Sequence, residues 1–447
     1  MEKCSRVLSR FATKLAYEDL SPEVVAYSKH LVLDTLGVAL GGYLSEPSYI
    51  TRSVVRELGG CPEATIIGSG DKTSCSLAAL ANGVMVRYLD FMDIYYTVDA
   101  CHPSENIPVA LAVGEREHSS GKDVLLAVFL GFEFQGRLAD TFPTHKLGWH
   151  HVTMGGYVTP FVAGKLLALN EEQMVNAMGI AGYTSHTLNY VTGPISMIKA
   201  LGYGLAGQRG VEAALMALKG MTGPDNIIEF FNQVMELNID LAPVIKGGHK
   251  PRILRSAIKP YASEFMTHTP IEAMYAIVKE NHLKAEDIDS MHLRIYEFAM
   301  HLANEECYKP ETRERADHSL PYCLAIGLIE GDVGAEQFAH EQWKDPMVLE
   351  LMSRIKVTLD PELEKVYPQA RPADLGIRTK SGQAYRKRVD YPKGDPNNPM
   401  SDEEVHAKFH KLAKPLMSQK QIKNIIDTVS LLENLEDVGH LMQLLVV

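Results

Sequence analysis

The 447-residue sequence is long enough for two domains, because a single hydrophobic core rarely grows beyond about 250–300 residues. Its composition, 46% hydrophobic and 22% charged, is typical of a globular protein and argues against an intrinsically disordered chain. The net charge of −12 and the lack of any lysine/arginine run longer than three residues exclude the usual pattern of a nucleic-acid-binding protein, so an anionic ligand would need locally concentrated cations.

Cysteine usage and hydropathy indicate a cytoplasmic protein. The six cysteines are scattered and no two have C-x-x-C spacing, so we predict neither a zinc knuckle nor an iron–sulfur centre and expect a reducing compartment. The N-terminal segment lacks the apolar core of a secretory signal, and Glu2 and Glu18 argue against a mitochondrial presequence. No apolar run is long enough to span a bilayer.

The chain up to about residue 258 is predicted to be helical. Ser21 as N-cap and Pro22 at the first helical position begin a helix that Gly41-Gly42 ends. Further helices are predicted over residues 76–89, 124–139 and 204–218, and another begins at Asn170 with capping-box spacing. These helices are rich in alanine and glycine and poor in charge, so we expect them to be buried on most sides.

The pattern changes to mixed strands and helices after about Lys259. Alternation of apolar and polar residues predicts strands at 290–296 and 355–359, and Ser381-Gly382 predicts the turn of a β-hairpin between 377–380 and 383–389. The Pro/Gly/Asn-rich stretch 392–399 indicates a boundary, after which the chain turns helical again.

We therefore predict a mainly α protein with two domains. A large all-helical domain comprises residues 1–258 and 400–447. A smaller α+β lid domain comprises residues 259–399 and is inserted before the C-terminal helices.

The first candidate site contains Asp90, Asp93 and His102. The two carboxylates are three residues apart at the end of a predicted helix, where we expect them to share a face. The helix dipole disfavours carboxylates there, so they need a partner or a role. His102 follows in a loop and could form an acid/base unit with Asp90. The alternative, favoured by pattern alone, is a structural Arg87–Asp90 ion pair with His102 packing or capping.

The second candidate is His150, just ahead of a Gly/Ala-rich helix whose N-terminus could meet an anionic ligand. His150 and His151 could also be metal ligands, but consecutive residues rarely converge on one ion, and we predict no metal site. The plain alternative is a loop histidine.

Two lysines form the third candidate. Lys199 lies in the apolar, glycine-rich stretch Gly193 to Gly202, where it either reaches to water or pairs with an anion such as a substrate carboxylate. Lys259 lies at the predicted domain junction, where ligand sites tend to form, although a surface linker lysine is the favoured alternative for that residue alone.

The fourth candidate is Tyr322, at the end of the segment Ala316 to Tyr322. It could donate a proton or hydrogen bond, or it could be a buried tyrosine satisfied by the backbone. Glu133 and Arg137 are predicted to form a buried structural ion pair. The chain has no phosphate-binding loop, no H-E-x-x-H motif and no G-x-S-x-G elbow, and no G-x-G-x-x-G follows a predicted strand.

In their order, these segments resemble the MmgE/PrpD family over nearly the whole chain. Each motif is weak alone, and it is their number and order that are specific. The matching segments are Leu89–Asp93, His102–Ser104, Glu133–Leu138, Trp149-His150, Lys199 followed by Gly210–Ala214, Lys259–Ala262 and Ala316–Tyr322.

The resemblance implies a large helical domain plus an α+β lid, usually in a homodimer, with an active site in the cleft between the domains. It implies no metal and no cofactor. The family's pocket positions fall on Asp90, His102, His150, Lys199, Lys259 and Tyr322.

The activity implied is that of a metal-independent lyase dehydrating a small citrate-like polycarboxylate, as 2-methylcitrate dehydratases do. Lys199 and Lys259 would stabilise carbanion-like charge, and His102 with His150 or Tyr322 would supply the base and the acid. Alternatives on the same scaffold are a cis-aconitate decarboxylase and an epimerase or isomerase of a substituted dicarboxylate. The alternative of another class is a non-catalytic carboxylate-binding protein.

The sequence departs from the family pattern at three positions. Ile94 stands where threonine is common, and His151 where proline is usual. Gly202 stands where decarboxylase-like members have histidine, which weakens the decarboxylase alternative.

Overall fold

The computed structural model describes residues 3–189, 195–239 and 250–447. The chain divides into two compact units. The first comprises Met1–Tyr88, Met92–Ala257 and Ser401–Val447, and the second comprises Leu89–Phe91 and Ile258–Met400. Helices dominate the described residues, which confirms the mainly α prediction.

The regular elements of the described residues are named in chain order. The α-helices are α1 (Cys4–Lys14), α2 (Pro22–Gly42), α3 (Glu46–Leu58), α4 (Cys75–Tyr88), α5 (Ile107–Arg116), α6 (Gly121–Thr141), α7 (Val152–Leu166), α8 (Glu171–Tyr183), α9 (Ile198–Leu218), α10 (Ile227–Met235), α11 (His268–Asn281), α12 (Arg313–Ala316), α13 (Leu320–Glu330), α14 (Pro346–Ser353), α15 (Pro361–Glu364), α16 (Asp402–Ala413), α17 (Gln419–Ser430) and α18 (Gly439–Leu444). The strands are β1 (Ala64–Thr65), β2 (Lys72–Thr73), β3 (Asp93–Tyr96), β4 (Ala100–Cys101), β5 (Ala257–Ile258), β6 (Ile288–Ile295), β7 (Ile355–Leu359), β8 (Ala373–Thr379) and β9 (Ala384–Val389).

The predicted helix starts at Ser21 and Asn170 are present, whereas α9, predicted to begin at residue 204, begins at Ile198. The Ser21 hydroxyl accepts a hydrogen bond from the Val24 amide at the start of α2, and α2 ends at Gly42 as predicted. Asn170 and Gln173 form the predicted capping box of α8. These caps satisfy amide groups that the first helical turn leaves without partners.

The core of the first unit is built from helices that approach one another through glycine. α9 packs against both α4 and α7. At the crossing of α4 and α9, a Cβ atom placed on Gly83 would lie 2.9 Å from the Gly204 Cα atom. The predicted Glu133–Arg137 ion pair is confirmed in α6, with 2.5 Å between Arg137 Nη2 and Glu133 Oε1.

Short strand pairs interrupt the first unit, which was predicted to be all-helical. β1 pairs with β2, and β3 pairs with β4 in an antiparallel hairpin that matches Tyr95 with Cys101. The hairpin brings His102 close to Asp93, because its first strand begins at Asp93 and its second strand ends just before His102.

The second unit contains a four-stranded sheet in the order β7-β6-β8-β9. β6 is parallel to β7 and antiparallel to β8, and β8 and β9 form a hairpin. The predicted strands and hairpin are therefore confirmed. α11 packs on β8 and β9.

The C-terminal helices α16, α17 and α18 belong to the first unit. α16 packs on α2, where Lys408 and Asp34 form a buried ion pair. None of the described helices has the combination of length and apolar character that crossing a membrane requires.

Candidate active site

Three of the predicted site residues lie at the beginnings of helices in the first unit. His102 directly precedes the 3-10 turn Pro103–Asn106, which continues into α5. His150 lies two residues before α7, and Lys199 is the second residue of α9. Helix N-termini present unsatisfied amides and a positive dipole end, so all three residues occupy surroundings that favour an anionic ligand. The first two residues of the glycine-rich stretch before Lys199 lie outside the described residues.

Tyr203 connects the beginning of α9 to the turn that follows His102. It lies one turn after Lys199 on α9 and is 1% exposed. Its hydroxyl is 2.8 Å from Gln135 Oε1 on α6 and 3.1 Å from Asn106 Oδ1, at the end of the turn that follows His102. The Asn106 amide in turn donates to Gln135 Oε1 at 2.6 Å. This buried network fixes the start of α9 relative to the His102 turn.

The protonation pattern of His102 is set by the backbone. Its Nδ1 lies 2.6 Å from the carbonyl oxygen of Asp93. A carbonyl oxygen only accepts hydrogen bonds, so Nδ1 carries the proton in the neutral ring. Nε2 is then the basic nitrogen, and the ring is preset to accept a proton there.

The side chain of Asp93 is not a charged partner of this histidine. It is fully buried, Oδ1 accepts from the Ser104 amide at 3.1 Å, and Oδ2 has no hydrogen-bond partner among the described residues. Burial raises the pKa of Asp93 to about 8. The carboxyl group is therefore mostly protonated at neutral pH, and it holds the Ser104 backbone rather than an imidazolium.

A second group of imidazoles lies beside His102. The ring centroid of His151 is 5.1 Å from that of His102 and 4.1 Å from that of His150. His145, in the 3-10 turn His145–Leu147, has its centroid 5.8 Å from that of His150. Burial, followed by the charges that His151 and His145 can carry, lowers the pKa of His150 well below its usual value. Without ligand His150 is therefore neutral at pH 7.

Two buried carboxylates orient these rings. Glu105 Oε2 is 3.3 Å from His151 Nε2, and Glu105 Oε1 is 3.4 Å from Arg87 Nε. Asp99 contacts His145 Nδ1 and accepts from the Thr144 hydroxyl at 2.5 Å. Burial acts to raise the pKa of Asp99, but the hydrogen bonds from His145 and Thr144 outweigh it and lower that pKa. Asp99 is thus ionised at neutral pH.

Asp90 and Lys259 form a separate buried cluster in the second unit. Lys259 Nζ lies 2.7 Å from Asp90 Oδ1, 3.0 Å from the Asp90 carbonyl oxygen and 3.1 Å from the Ser263 carbonyl oxygen. His318 Nε2 is 3.9 Å from Asp90 Oδ2, and its Nδ1 contacts Asp317. An ammonium group has three donors, and these three oxygens can take all of them.

Tyr322 lies fully buried in the first turn of α13. Its hydroxyl donates a hydrogen bond to the backbone carbonyl of Gln337, as the alternative of a backbone-satisfied tyrosine expects. Burial raises its pKa, which makes the phenol a poor proton donor in this position.

The prediction that Asp90 and Asp93 share a helix face is wrong. α4 ends at Tyr88, Asp90 has a left-handed backbone with φ of 51°, and Asp93 begins β3. The two carboxylates consequently belong to different units, and each has its own partner. The side chain of Asp90 pairs with Lys259, and that of Asp93 accepts from Ser104.

Several residues of these clusters were not singled out from the sequence. Glu105 and His318 lie inside motifs that were noticed for their neighbours, so spacing to a second residue could have indicated them. His145 and Asp99 carried no local signal, because their contact depends on a turn that brings residues 46 positions apart in the chain together.

Comparison with known proteins places these residues in a family. The MmgE/PrpD N-terminal domain matches residues 6–237, and the MmgE/PrpD C-terminal domain matches residues 261–434. The cis-aconitate decarboxylase of Homo sapiens is 27% identical over 455 residues, covering 95% of this chain and 91% of the relative. That of Aspergillus terreus is 24% identical over 473 residues, covering 98% and 95%. The 2-methylcitrate dehydratase of Cupriavidus necator is 25% identical over 379 residues, covering 78% and 76%.

The two domain matches together span most of the chain, and the human relative aligns with 95% of it. The matched segments contain His102, His150 and Lys199 in the first domain and Tyr322 in the second. This chain belongs to the MmgE/PrpD family.

Proposed function

We propose that this protein is a metal-independent lyase that dehydrates a small citrate-like polycarboxylate, in the manner of a 2-methylcitrate dehydratase. The observation that carries the proposal is the His102 imidazole, whose Nδ1 is held by the Asp93 carbonyl so that Nε2 is the base. The helix N-termini at α7 and α9 and the buried Lys199 supply the positive surroundings that a polycarboxylate needs.

In the proposed reaction, His102 Nε2 removes a proton from the carbon next to a substrate carboxylate. The electron pair of that C–H bond forms the new C=C bond as the C–O bond to the hydroxyl group breaks. The leaving hydroxyl takes a proton and departs as water. Lys199 stabilises the negative charge that develops on the carboxylate in the transition state.

His150 is the proposed proton donor to the leaving hydroxyl. Its pKa is low because the ring is buried among other imidazoles. A bound polycarboxylate adds negative charge beside the ring and raises that pKa, so the ring takes up from solvent the proton that it then donates to the leaving hydroxyl.

Lys259 is proposed as a substrate-binding residue, with the proposed catalytic residue Asp90 as its buried partner. The ammonium group already has three oxygen acceptors, so a substrate carboxylate must replace one of them. Tyr322 has a structural part in this proposal, because its hydroxyl donates to the Gln337 carbonyl.

A cis-aconitate decarboxylase is the second candidate. Relatives with that name align with 95–98% of this chain, whereas the Cupriavidus necator dehydratase aligns with 78%. Gly202 argues the other way, since it lies one turn after Lys199 on α9 at the position where decarboxylase-like members carry histidine.

A substrate panel followed by proton NMR in deuterated water tests the proposal. Purified protein is mixed separately with 2-methylcitrate, citrate, cis-aconitate and iminodisuccinate. We expect an unsaturated product from 2-methylcitrate, and no loss of turnover on adding EDTA. Carbon dioxide release from cis-aconitate would establish the decarboxylase instead, and exchange without net product would indicate an epimerase. Carboxylate binding without turnover of any acid would identify a binding protein.

We further propose that the protein is cytoplasmic. None of its six cysteines forms a disulfide within the residues that the structure describes. The basic residues near the N-terminus have structural partners, since Arg6 pairs with Glu172 and Arg10 with Glu171 on α8. Subcellular fractionation that finds the protein inside mitochondria would overturn this proposal.

A homodimer is also proposed. Its support within the first unit is a set of large apolar side chains that are mostly exposed and that a partner subunit could cover: Tyr183 at 75%, Leu188 at 73% and Val234 at 60%. Light scattering coupled to size-exclusion chromatography should give twice the 49.5 kDa chain mass, and a mass near 49.5 kDa would refute it.

A further inference from the structure

Three histidines of the first unit converge in a way that their sequence positions do not suggest. One ring nitrogen from each of His145, His150 and His151 lies within 4.8 Å of the others. Tetrahedral zinc with the usual Zn–N bond of about 2.0–2.1 Å places its imidazole centroids about 5 Å apart. The observed centroid separations are 4.1, 5.8 and 6.4 Å, so small ring rotations bring the three nitrogens to one ion.

Carboxylates contact two of the three rings, as is usual for histidines that bind a metal ion. Asp99 holds His145 through Nδ1, which leaves Nε2 as the nitrogen that faces away from the carboxylate. Glu105 holds His151 through Nε2. Such carboxylate–histidine pairs fix ring orientation and increase the basicity of the other nitrogen.

Two carboxylates contact the rings directly. Asp99 contacts His145, and Glu105 contacts His151 and also pairs with Arg87. The Asp90–Asp317–His318 group in the second unit has similar ligand geometry, but Lys259 already places a positive charge 2.7 Å from Asp90.

We propose that His145, His150 and His151 form a binding site for one zinc-type divalent transition-metal ion. Three imidazoles with an open fourth position are the ligand set of zinc sites that keep a water or other ligand. His145 is the accessible member, with 33% of its side chain exposed, and gives the ion a route to the two buried rings.

The ion would be an inhibitor rather than a cofactor, and this consequence rests on the proposed function. A metal on His150 occupies the nitrogen that would donate a proton to the leaving hydroxyl. Zinc should therefore lower turnover, and a chelator should restore it. Binding itself does not depend on the reaction and can be measured without substrate.

The test measures binding of Co²⁺ and Zn²⁺ to the chelator-treated full chain. Co²⁺ in a tetrahedral histidine site absorbs visible light, and Zn²⁺ affinity follows from calorimetry. We expect one equivalent in the wild type, loss of the tetrahedral spectrum in His145→Ala, and an affinity about 10–100-fold lower in Asp99→Asn, the usual effect of removing a carboxylate that orients a ligand. His118→Ala is the matched control, because His118 is an exposed histidine outside the cluster.

Two results would overturn the proposal. One is a wild-type protein that binds neither ion with a defined stoichiometry. The other is binding that His145→Ala and Asp99→Asn both leave unchanged, which would locate the ion elsewhere. Circular dichroism of each variant separates loss of ligand from loss of fold, and the chemically similar His145→Gln provides a second ligand-deletion variant.

Discussion

The basic nitrogen of His102 is selected by a backbone carbonyl, because the Asp93 oxygen contacts Nδ1 and leaves Nε2 as the base. We expect His102→Ala and Lys199→Ala each to lower turnover by at least about a hundredfold, the usual scale for an acid/base group, because one removes the base and the other a buried cation. Steady-state kinetics on the substrate found in the panel measure this effect. His118→Ala, at an exposed site, is the control. Full activity in either variant would remove that residue from the mechanism.

Asp93 gives a second prediction at the residue scale, for stability against pH. Its pKa in the folded chain is about 8, above the usual 3.8, so the folded state binds a proton that the unfolded state releases between these values. The contribution of Asp93 to stability is complete below about pH 4 and is lost as pH rises to 8. In Asp93→Asn, whose amide resembles the protonated acid, this loss is absent.

We therefore expect Asp93→Asn to gain stability relative to the wild type as pH rises from 4 to 8, with a constant difference above pH 8. Urea unfolding at several pH values measures it. Asp99→Asn should show the opposite slope, and only below about pH 4, because the pKa of Asp99 is lowered in the fold and its contribution is complete above the unfolded value of 3.8. A pH-independent difference for Asp93→Asn would contradict the protonated carboxyl.

Sequence patterns identified candidate site residues, but they did not identify the atoms to which those residues form hydrogen bonds. His102 stood out as a loop histidine after two carboxylates, His150 as a residue ahead of a Gly/Ala-rich helix, and Lys199 as a cation in an apolar stretch. The structure has each of them before or at the beginning of a helix. The partner of His102 Nδ1 is a main-chain atom, which no side-chain pattern encodes. The side-chain pattern also does not indicate the left-handed backbone of Asp90. That backbone separates Asp90 from Asp93, whose carboxylates would have shared a face if the helix had continued.

At the scale of elements, the predictions of helices and strands succeeded where the sequence had a complete capping box or an alternating pattern over several residues. The Asn170 capping box and the strands of the second unit came from such signals. The β3–β4 hairpin was missed because its strands are four and two residues long and almost wholly buried, which leaves no alternation to detect. Buried pairs of this length depend on their tertiary surroundings.

The crossing of α4 and α9 gives the element-scale prediction. A Cβ atom at Gly83 would meet the Gly204 Cα at 2.9 Å, and a backbone atom in another helix cannot rotate aside. We expect Gly83→Ala to destabilise the chain by about 1–3 kcal/mol, since overpacking outweighs the better helix propensity of alanine. Chemical denaturation measures the change.

Gly202→Ala is the matched control on α9. Its nearest neighbour would be a methyl group of Val152 at 3.3 Å, which a side-chain movement can accommodate. Its stability should stay within about 1 kcal/mol of the wild type, because the propensity gain offsets a small clash. Equal losses in both variants would mean that helix contact at Gly83 has no special role.

At the scale of the whole molecule, the first unit is made from both ends of the chain. Phe409 of α16 packs against Gly37 of α2, where a Cβ atom would meet the phenyl ring at 3.0 Å. Val447 donates its amide hydrogen to the Gly68 carbonyl. The low charge of α2 indicated burial, but composition does not specify that the covering helix comes from residues 402–413.

The ion pair between Asp34 and Lys408 joins these two ends and supplies the last prediction. The side chains are 1% and 5% exposed, with 2.6 Å between Lys408 Nζ and Asp34 Oδ1. Burial raises the pKa of Asp34 against the attraction of Lys408. Lys408→Met leaves a buried carboxylate without its cation, which should cost about 3–5 kcal/mol at pH 7.

Two features distinguish this loss of charge pairing from simple loss of packing. Adding Asp34→Asn to Lys408→Met should restore much of the stability, because the uncompensated charge is then gone. The deficit of the single variant should also shrink as pH falls, since Asp34 can protonate in the fold. A double variant no more stable than Lys408→Met, with a deficit that does not change with pH, would mean that α16 is held on α2 by apolar packing and that the buried charges add nothing.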